Sequence, residues 1–525
     1  MSNSFLKSEA FFLLTLFLLI PLFLLLSLDF GVTWDEPSLR LYGNAVYEYY
    51  RSGFRSLFAL DMWPMHYYGG LVDLLSTWFS KLYPSLDPYI CRHFVNSVFG
   101  WLAVFITSLA ARRHFGVFAG FLAPFFLVFS PRFFADCMNN PKDLPFATAG
   151  VLALAALMRV RPEFPYYSVR TTCVFVLALA LAINIRIGGL LFLGYGAVAF
   201  GARLLLDAGR LGLRRWIVAI TGFSLIAVLS LILGTLFWPW ALQNPLTRPF
   251  EALAIMSHFP TDEVAGVLFD GRWFSIDALP WDYIPRWLLI TAPLPVLAGA
   301  LAGVLTANRE TRGAVALLVF AVVFPVGYII VTKAAVYDAA RHVLFVIPPL
   351  TMLAAFGWSR LFVLVRCRIA LSACLSALFL LGWIDPVRFW IVNHPNQIVY
   401  FNPLVGGIKG ALLRYDLDYW NNSFEQAVHW LNATAERSGQ PILYTSVYGG
   451  PSVIEARQAR YPGLRYISSN HLEAEKSNFV IALLRGNAEL LQTMLEAPNI
   501  AHAILVDGVP ICLIFEKTPL DEARR

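Results

Sequence analysis

AFFLLTLFLLIPLFLLLSL fills residues 10–28, and DFGVTWDEP follows directly at 29–37. The first stretch is uncharged, and at about 1.5 Å of helical rise per residue it approaches the roughly 30 Å hydrocarbon core of a bilayer. No small-residue cleavage site separates it from Asp29, so it reads as an uncleaved anchor rather than a removed signal segment. Charge-free or nearly charge-free runs recur at 93–111, 115–131, 144–158, 171–185, 187–202, 216–240, 287–307, 313–332, 343–359 and 369–384. The fold class they predict is a polytopic α-helical membrane protein with about eleven transmembrane helices. Runs short of about 20 residues are extended by flanking aromatics and snorkelling Arg side chains. Composition agrees, with 58% hydrophobic and 14% charged residues over 525 positions. A mean hydropathy of +0.62 is more than a soluble core can hide.

The net charge of +6 does not gather on one basic face, so nucleic acid is not read as a partner. The surplus sits in alternate short loops, at Arg112/Arg113, Arg159/Arg161/Arg170, Arg203/Arg210/Arg214/Arg215, Arg309/Arg312 and Arg360/Arg366/Arg368. By the positive-inside rule these loops and the N-terminus are cytoplasmic, and everything after residue 384 lies outside. The break at Arg186-Ile187-Gly188-Gly189 carries this parity, because a single kinked helix there would reverse it. The six cysteines form neither a metal-ligand spacing nor a disulfide framework. With no extra targeting segment, the expected location is a bacterial inner membrane, with the C-terminal part periplasmic.

Two long outer loops, 29–92 and 241–286, carry Trp63, Trp238, Trp240, Trp273, Trp281 and Trp287 at or near them, suited to the headgroup level. Leu39, Tyr42, Val46, Tyr49 and Tyr50 recur at helical spacing, which predicts an amphipathic interfacial helix over 37–53. The chain divides into a membrane part, 1–400, and a small soluble α/β domain, 401–525. Ser423 and Gln426 suggest a capping box opening a helix to about residue 436. Strands are expected near 441–447, 466–468, 479–484, 501–506 and 509–515, with helices near 451–459 and 487–496. Tyr448-Gly449-Gly450-Pro451 lacks the spacing of a nucleotide fingerprint, which points this domain to binding or shielding rather than catalysis.

Ionisable groups at the outer ends of spans are expensive next to hydrocarbon and are the informative ones. Asp35 and Glu36, between Trp34 and Pro37, offer a general base or metal ligand. The bland account is helix capping before a proline at the first helical position, which residue pattern alone favours slightly. The outer loop 130–145 gathers Asp136, Asn140, Lys142 and Asp143, denser in polar groups than topology requires. Arg186, Lys333, Arg341 and His342 place positive charge on the outer side, against the topological trend. A phosphate headgroup is the partner that suits them, through the donor fork of Arg. Pairing with Asp136, Asp143 or Asp338 in a structural network is the alternative. His342 has no second His nearby in sequence and is weak evidence for a metal. A base and several cations at one leaflet are what sugar transfer from a lipid phosphate needs.

With Asp35-Glu36 in the first outer loop, Asn139-Asn140-Pro141-Lys142-Asp143 between the third and fourth spans, and Arg341-His342 further on, the chain resembles the GT-C membrane glycosyltransferases. These use polyprenyl-phosphate sugars, and the superfamily includes protein O-mannosyltransferases and the lipid A aminoarabinose transferase. The resemblance implies an inverting transfer with Asp35 as base and Glu36 in support. Asp136 and Asp143 would position base or acceptor, and Lys142, Arg186 and Arg341 would bind phosphate, with Lys333, His342 and Asn140 near the substrate. It implies a polyprenyl-phosphate sugar donor and a lipid, glycan or protein acceptor. No clear metal cluster is present, so no cofactor is expected, although some relatives need a divalent cation. The C-terminal part departs from the carbohydrate-recognition domains of some relatives. A flippase of lipid-linked saccharide and a non-catalytic membrane-anchored assembly protein are the rival readings. A transporter favours polar groups at the bilayer midplane and repeated halves, whereas these spans are nearly free of ionisable groups in their middles and show no repeat.

Overall fold

The computed structural model describes residues 3–159, 168–206, 212–257, 266–447, 460–468 and 476–517. Among these, seven helices are long and apolar enough to cross a membrane: Glu9–Asp29, Pro88–Phe115, Ile187–Leu205, Leu213–Thr235, Arg312–Thr332, Arg341–Val365 and Ile369–Val392. Two more candidates are bent pairs, Val117–Val128 with Pro131–Asn139 at 70° and Tyr283–Thr291 with Leu294–Leu305 at 111°. The expected figure of about eleven is reached only by adding the shorter apolar helices Asp143–Leu157 and Val169–Ile185. Asp143–Leu157 is buried along nearly its whole length, so neighbouring helices rather than lipid cover it.

Both bends follow from proline. Pro131 opens the second helix of the first pair. Ala292 is extended (ψ 142°) before Pro293, as the residue preceding a proline prefers. The region 130–145, expected as an outer loop, is instead mostly this second helix. Every residue of Pro131–Asn139 is buried, because Phe133, Phe134 and Met138 pack into the main core. At Arg186 the chain is extended and two separate helices meet. Gly189 fits because an added Cβ would lie 2.5 Å from the Ile183 nitrogen.

The first long loop holds helices Glu36–Arg51 and Leu71–Leu82. The spacing read from sequence is realised, with Leu39, Tyr42, Val46 and Tyr49 buried. That face packs largely on protein rather than lying free in the interface. Gly43 lets Leu71–Leu82 approach, since a Cβ there would lie 2.6 Å from the Asp73 carbonyl. The second long loop carries an antiparallel hairpin, β1 (Val267–Phe269) and β2 (Arg272–Phe274).

The C-terminal unit is a five-stranded sheet of β3 (Ile442–Val447), β4 (Leu464–Tyr466), β5 (Phe479–Leu483), β6 (Ile500–Val506) and β7 (Val509–Glu516). Its order is β4-β3-β5-β7-β6, parallel among β4, β3 and β5 and antiparallel around β7. Helix Phe424–Ser438 buries Phe424, Val428 and Leu431 in the sheet's core. The capping box does not form, because the Ser423 hydroxyl donates to Asp418 Oδ2 at 2.6 Å instead. The helix expected near 451–459 and the turn at Tyr448 lie outside the described residues. Phe401, Tyr415, Tyr419 and Trp420 pack with the membrane helices, so the sheet's own core begins at Phe424.

The tightest helix contact is that of Leu294–Leu305 with Ile347–Val365, and it rests on small residues. A Cβ on Gly357 would lie 1.9 Å from the Gly299 carbonyl oxygen and 2.4 Å from the Gly303 nitrogen. Gly357→Leu is expected to force the pair apart and destabilise the protein by about 1–3 kcal/mol. Thermal unfolding in detergent would read this as a lowered midpoint.

Candidate active site

Helix starts and ends from five parts of the chain meet at one cluster of charge. Asp35 immediately precedes helix Glu36–Arg51, but its side chain makes no capping bond. It faces Arg341, whose Nη1 stands 3.4 Å from Asp35 Oδ2. The same nitrogen is 3.9 Å from Asp143 Oδ2, and Nη2 is 3.2 Å from Asp338 Oδ2. The Arg341 guanidinium also lies over the rings of Tyr337, at 4.7 Å, and Trp420, at 4.8 Å. Asp143 binds Arg186 Nη2 at 2.8 Å through Oδ1. The pairing alternative raised by the sequence is therefore realised for Arg186 and Arg341.

The three carboxylates around Arg341 are not equivalent. Asp143 and Asp338 side chains are 3% and 8% exposed, whereas 43% of the Asp35 side chain is open. Protein closes around Asp35 on its other sides. That enclosure pushes its carboxyl above the ordinary carboxylate range, with Asp143 and Asp338 adding to the effect. Arg341, and less so Arg186, pull it back. An open carboxylate with a raised pKa is a stronger base than an ordinary one.

Asn140 links the two acids of its own segment. Its amide donates to Asp136 Oδ1 at 2.7 Å and to Asp143 Oδ2 at 3.2 Å. Its side-chain oxygen accepts from the Asp143 backbone N–H at 3.0 Å. Lys142 points the other way, its ammonium 4.0 Å from the Tyr68 ring centroid and 3.9 Å from Asp73 Oδ2. Burial lowers it to about 8, against the opposing pull of Asp73. Its Nζ has no hydrogen-bond partner.

Three expected residues stand apart. Glu36, adjacent to Asp35, is fully buried and turned away. It accepts from the Thr33 backbone N–H at 2.8 Å and meets His93 at 3.1 Å. Helical geometry sends consecutive side chains about 100° apart, so the pair divides its work. His342 turns to Tyr337, with ring centroids 4.8 Å apart. Lys333 is an exposed left-handed residue (φ 51°) ending helix Arg312–Thr332, with no place in the cluster.

Asp338 enters the network as the pairing partner read from the sequence, and Asp73, Arg92 and Arg485 join it without such a reading. Arg92 binds Asp73 at 2.7 Å and lies near the start of the span Pro88–Phe115. The rule that selected Arg186 would have found it. Arg485 comes from the C-terminal domain and binds Asp338 Oδ1 at 2.7 Å. Nothing in its local sequence signals this. Among the described residues no group of three His, Cys, Asp or Glu side chains is placed to hold a metal ion.

Fold and site together define an integral membrane protein of α-helical type, with a charged cluster where its long loops and its C-terminal domain converge. No family model and no curated protein sequence matches the chain. Among solved structures it is similar to ArnT from Cupriavidus metallidurans in the apo state. Identity there is 14% and TM-score 0.49, over 97% of this chain and 98% of that one. The same protein bound to undecaprenyl phosphate matches at 13% identity and TM-score 0.49, over 96% and 97%. The apo oligosaccharyltransferase of Archaeoglobus fulgidus matches at 11% and 0.48, over 89% of this chain and 69% of that one. At such identities residue roles do not transfer between chains.

Glu36→Gln is expected to lower stability by about 1–3 kcal/mol, because it weakens a fully buried bonding site. Asp35→Asn is expected to leave the unfolding midpoint near that of wild type. Thermal melts of the two purified variants check this division.

Proposed function

We propose that this chain is an inverting glycosyltransferase moving a monosaccharide from a polyprenyl-phosphate donor to an acceptor hydroxyl at the outer leaflet. One observation carries the reading: of three carboxylates around a buried guanidinium, only Asp35 is open to a substrate. The catalytic part is assigned to 1–400, and the outer-side domain at 401–525 helps to close the site. The N-terminus is cytoplasmic and the sheet domain periplasmic in this reading, as the Arg loops require.

Asp35 accepts the proton of the acceptor hydroxyl as that oxygen attacks the anomeric carbon. The new oxygen–carbon bond forms while the bond from the anomeric carbon to the phosphate oxygen breaks, and its electron pair stays on the phosphate. A phosphodiester thus leaves as a monoester carrying one more negative charge. Arg341, with Arg186 and Lys142 nearby, meets that charge as it develops. Asp143 and Asp338 hold Arg341 in place, and Asn140 holds Asp143 and Asp136. A single displacement at the anomeric carbon inverts its configuration.

The pKa directions set a pH window. Transfer rises as Asp35 loses its proton, on a limb above the usual carboxylate range. It falls as Lys142 loses its proton near pH 8. Lys142→Arg is expected to move the alkaline limb upward and leave the acid limb in place, read as kcat/KM against pH.

Reconstituted protein offered a panel of polyprenyl-phosphate sugars and acceptors is expected to release polyprenyl phosphate. Asp35→Asn should slow that release by about 10²–10⁴-fold. A donor that crosses the bilayer intact, indifferent to Asp35, would make the protein a transporter instead.

A further inference from the structure

Helix Leu71–Leu82 carries its apolar side outward. Leu75, Trp78 and Leu82 are exposed on one face, and Asp73, Thr77, Ser80 and Lys81 fall on the opposite one. An outward apolar face suits a bilayer surface, and it leaves the polar face turned to protein. Against that polar face lies a hollow of about 690 Å³. Thr77, Ser80 and Lys81 line it, together with Arg40 and Asn44 of helix Glu36–Arg51 and Arg92 of Pro88–Phe115. Its charge is one-sided. Arg40 lies over the Tyr89 ring at 5.5 Å, and neither it nor Lys81 has an ion-pair partner among the described residues. Arg92 is 2% exposed and binds Asp73 Oδ1 at 2.7 Å, while Asp73 Oδ2 stands 3.9 Å from Lys142. One carboxylate thus serves two buried cations, and two further cations line the hollow without an acid. The Asn44 amide donates to the Arg40 carbonyl at 3.0 Å, which leaves its side-chain oxygen as an acceptor.

We infer that this hollow is a second ligand site, for an anionic saccharide, apart from the Asp35 cluster. Arg40 and Lys81 bind the anionic group, and Thr77, Ser80 and Asn44 meet the hydroxyls around it. The chemistry selects the ligand. Cations without an acid call for a phosphate or carboxylate, and hydroxyls beside an amide oxygen call for a partner that both donates and accepts. A saccharide carrying one anionic group supplies the two together, whereas a bare anion leaves the hydroxyls and the amide unused. The site goes beyond the glycosyltransfer reading and stands without it, since Arg40 and Lys81 take no part in that chemistry. It is nevertheless joined to the cluster by the chain from Arg92 through Asp73 to Lys142. An anion that draws on Arg92 competes with Asp73 for it, and Asp73 is then left to Lys142. Occupancy of the hollow is thereby felt at a cation of the proposed transfer.

The test uses the full chain in phosphatidylcholine nanodiscs and measures affinity for glucose-6-phosphate, with inorganic phosphate and glucose as the partial probes. Glucose-6-phosphate is expected to bind more tightly than either. Lys81→Gln should weaken it about tenfold, and Arg40→Gln with Lys81→Gln about a hundredfold. Ser80→Trp, which fills the hollow without touching its charge, should weaken it comparably. Asp73→Asn should strengthen it, because Arg92 then has no carboxylate to leave. Wild-type affinity in Lys81→Gln and Ser80→Trp, or no saturable binding at all, would overturn the site. So would an equal loss in Lys409→Gln, an exposed lysine outside the hollow, or in Arg186→Gln, which lies in the Asp35 cluster. Inorganic phosphate bound as tightly as glucose-6-phosphate would overturn the saccharide. Nanodiscs doped with phosphatidylinositol separate the two sources of such a ligand. Competition from the doped bilayer would assign the hollow to a lipid headgroup, and undiminished affinity would assign it to a soluble saccharide.

Discussion

Arg341 is the charge on which the rest of the site depends. A guanidinium with only 5% of its side chain exposed must be paired, and breaking such a pair leaves a buried charge without compensation. Three acids from three parts of the chain supply the pairing: Asp35 after the first span, Asp143 at the start of a buried helix, and Asp338 just before Arg341 itself. Asp338 and Ala339 adopt left-handed backbone (φ 55° and 62°), a strained path for residues with side chains. The path is held because Asp338 is gripped by Arg341 and by Arg485, while the Ala339 N–H donates to the Tyr283 hydroxyl at 3.3 Å. Through Arg485 the C-terminal sheet domain reaches the same charged network as the membrane part.

A second knot fixes the geometry around the first. Asn422 accepts from the Gly31 N–H and from the Asn139 amide, each at 3.0 Å, and donates to the Pro395 carbonyl at 2.9 Å. Asn139 donates to the Gly31 carbonyl as well. The loop carrying Asp35, the helix leading to Asp143 and the segment leading to the sheet are thus joined by amides that stay neutral at any pH. Glu36 belongs to this framework, tying Thr33 to His93. The charged cluster is thus mounted largely on neutral amide hydrogen bonds that do not titrate.

Much of this was legible in the sequence because bilayer physics writes long signals. Uncharged runs of about 20 residues and Arg-rich short loops need no tertiary knowledge to read. The acids and cations at outer span ends stood out for the same reason, and Asp35, Asp143, Arg186 and Arg341 do converge. The span count was less legible. Prolines 131 and 293 bend two apolar stretches sharply, and Asp143–Leu157 is shielded by protein, so apolar length overstates what lipid touches. Lys333 and His342 looked like neighbours of Arg341, but a left-handed turn exposes one and directs the other to Tyr337. Glu36 shared a motif with Asp35, and the helix it opens turns it away. Arg485 carried no local signal, because what matters for it is Asp338, 147 residues earlier in the chain.

The anomeric configuration of the product tests the central claim most directly. NMR of the glycosylated acceptor, formed from a polyprenyl-phosphate sugar of known configuration, separates the two ways a carboxylate can act. The proposed function predicts inversion, with Asp35 as base in a single displacement beside the Arg341 guanidinium. Retention would mean that a carboxylate attacks the sugar and forms a covalent intermediate, and it would contradict the role given to Asp35.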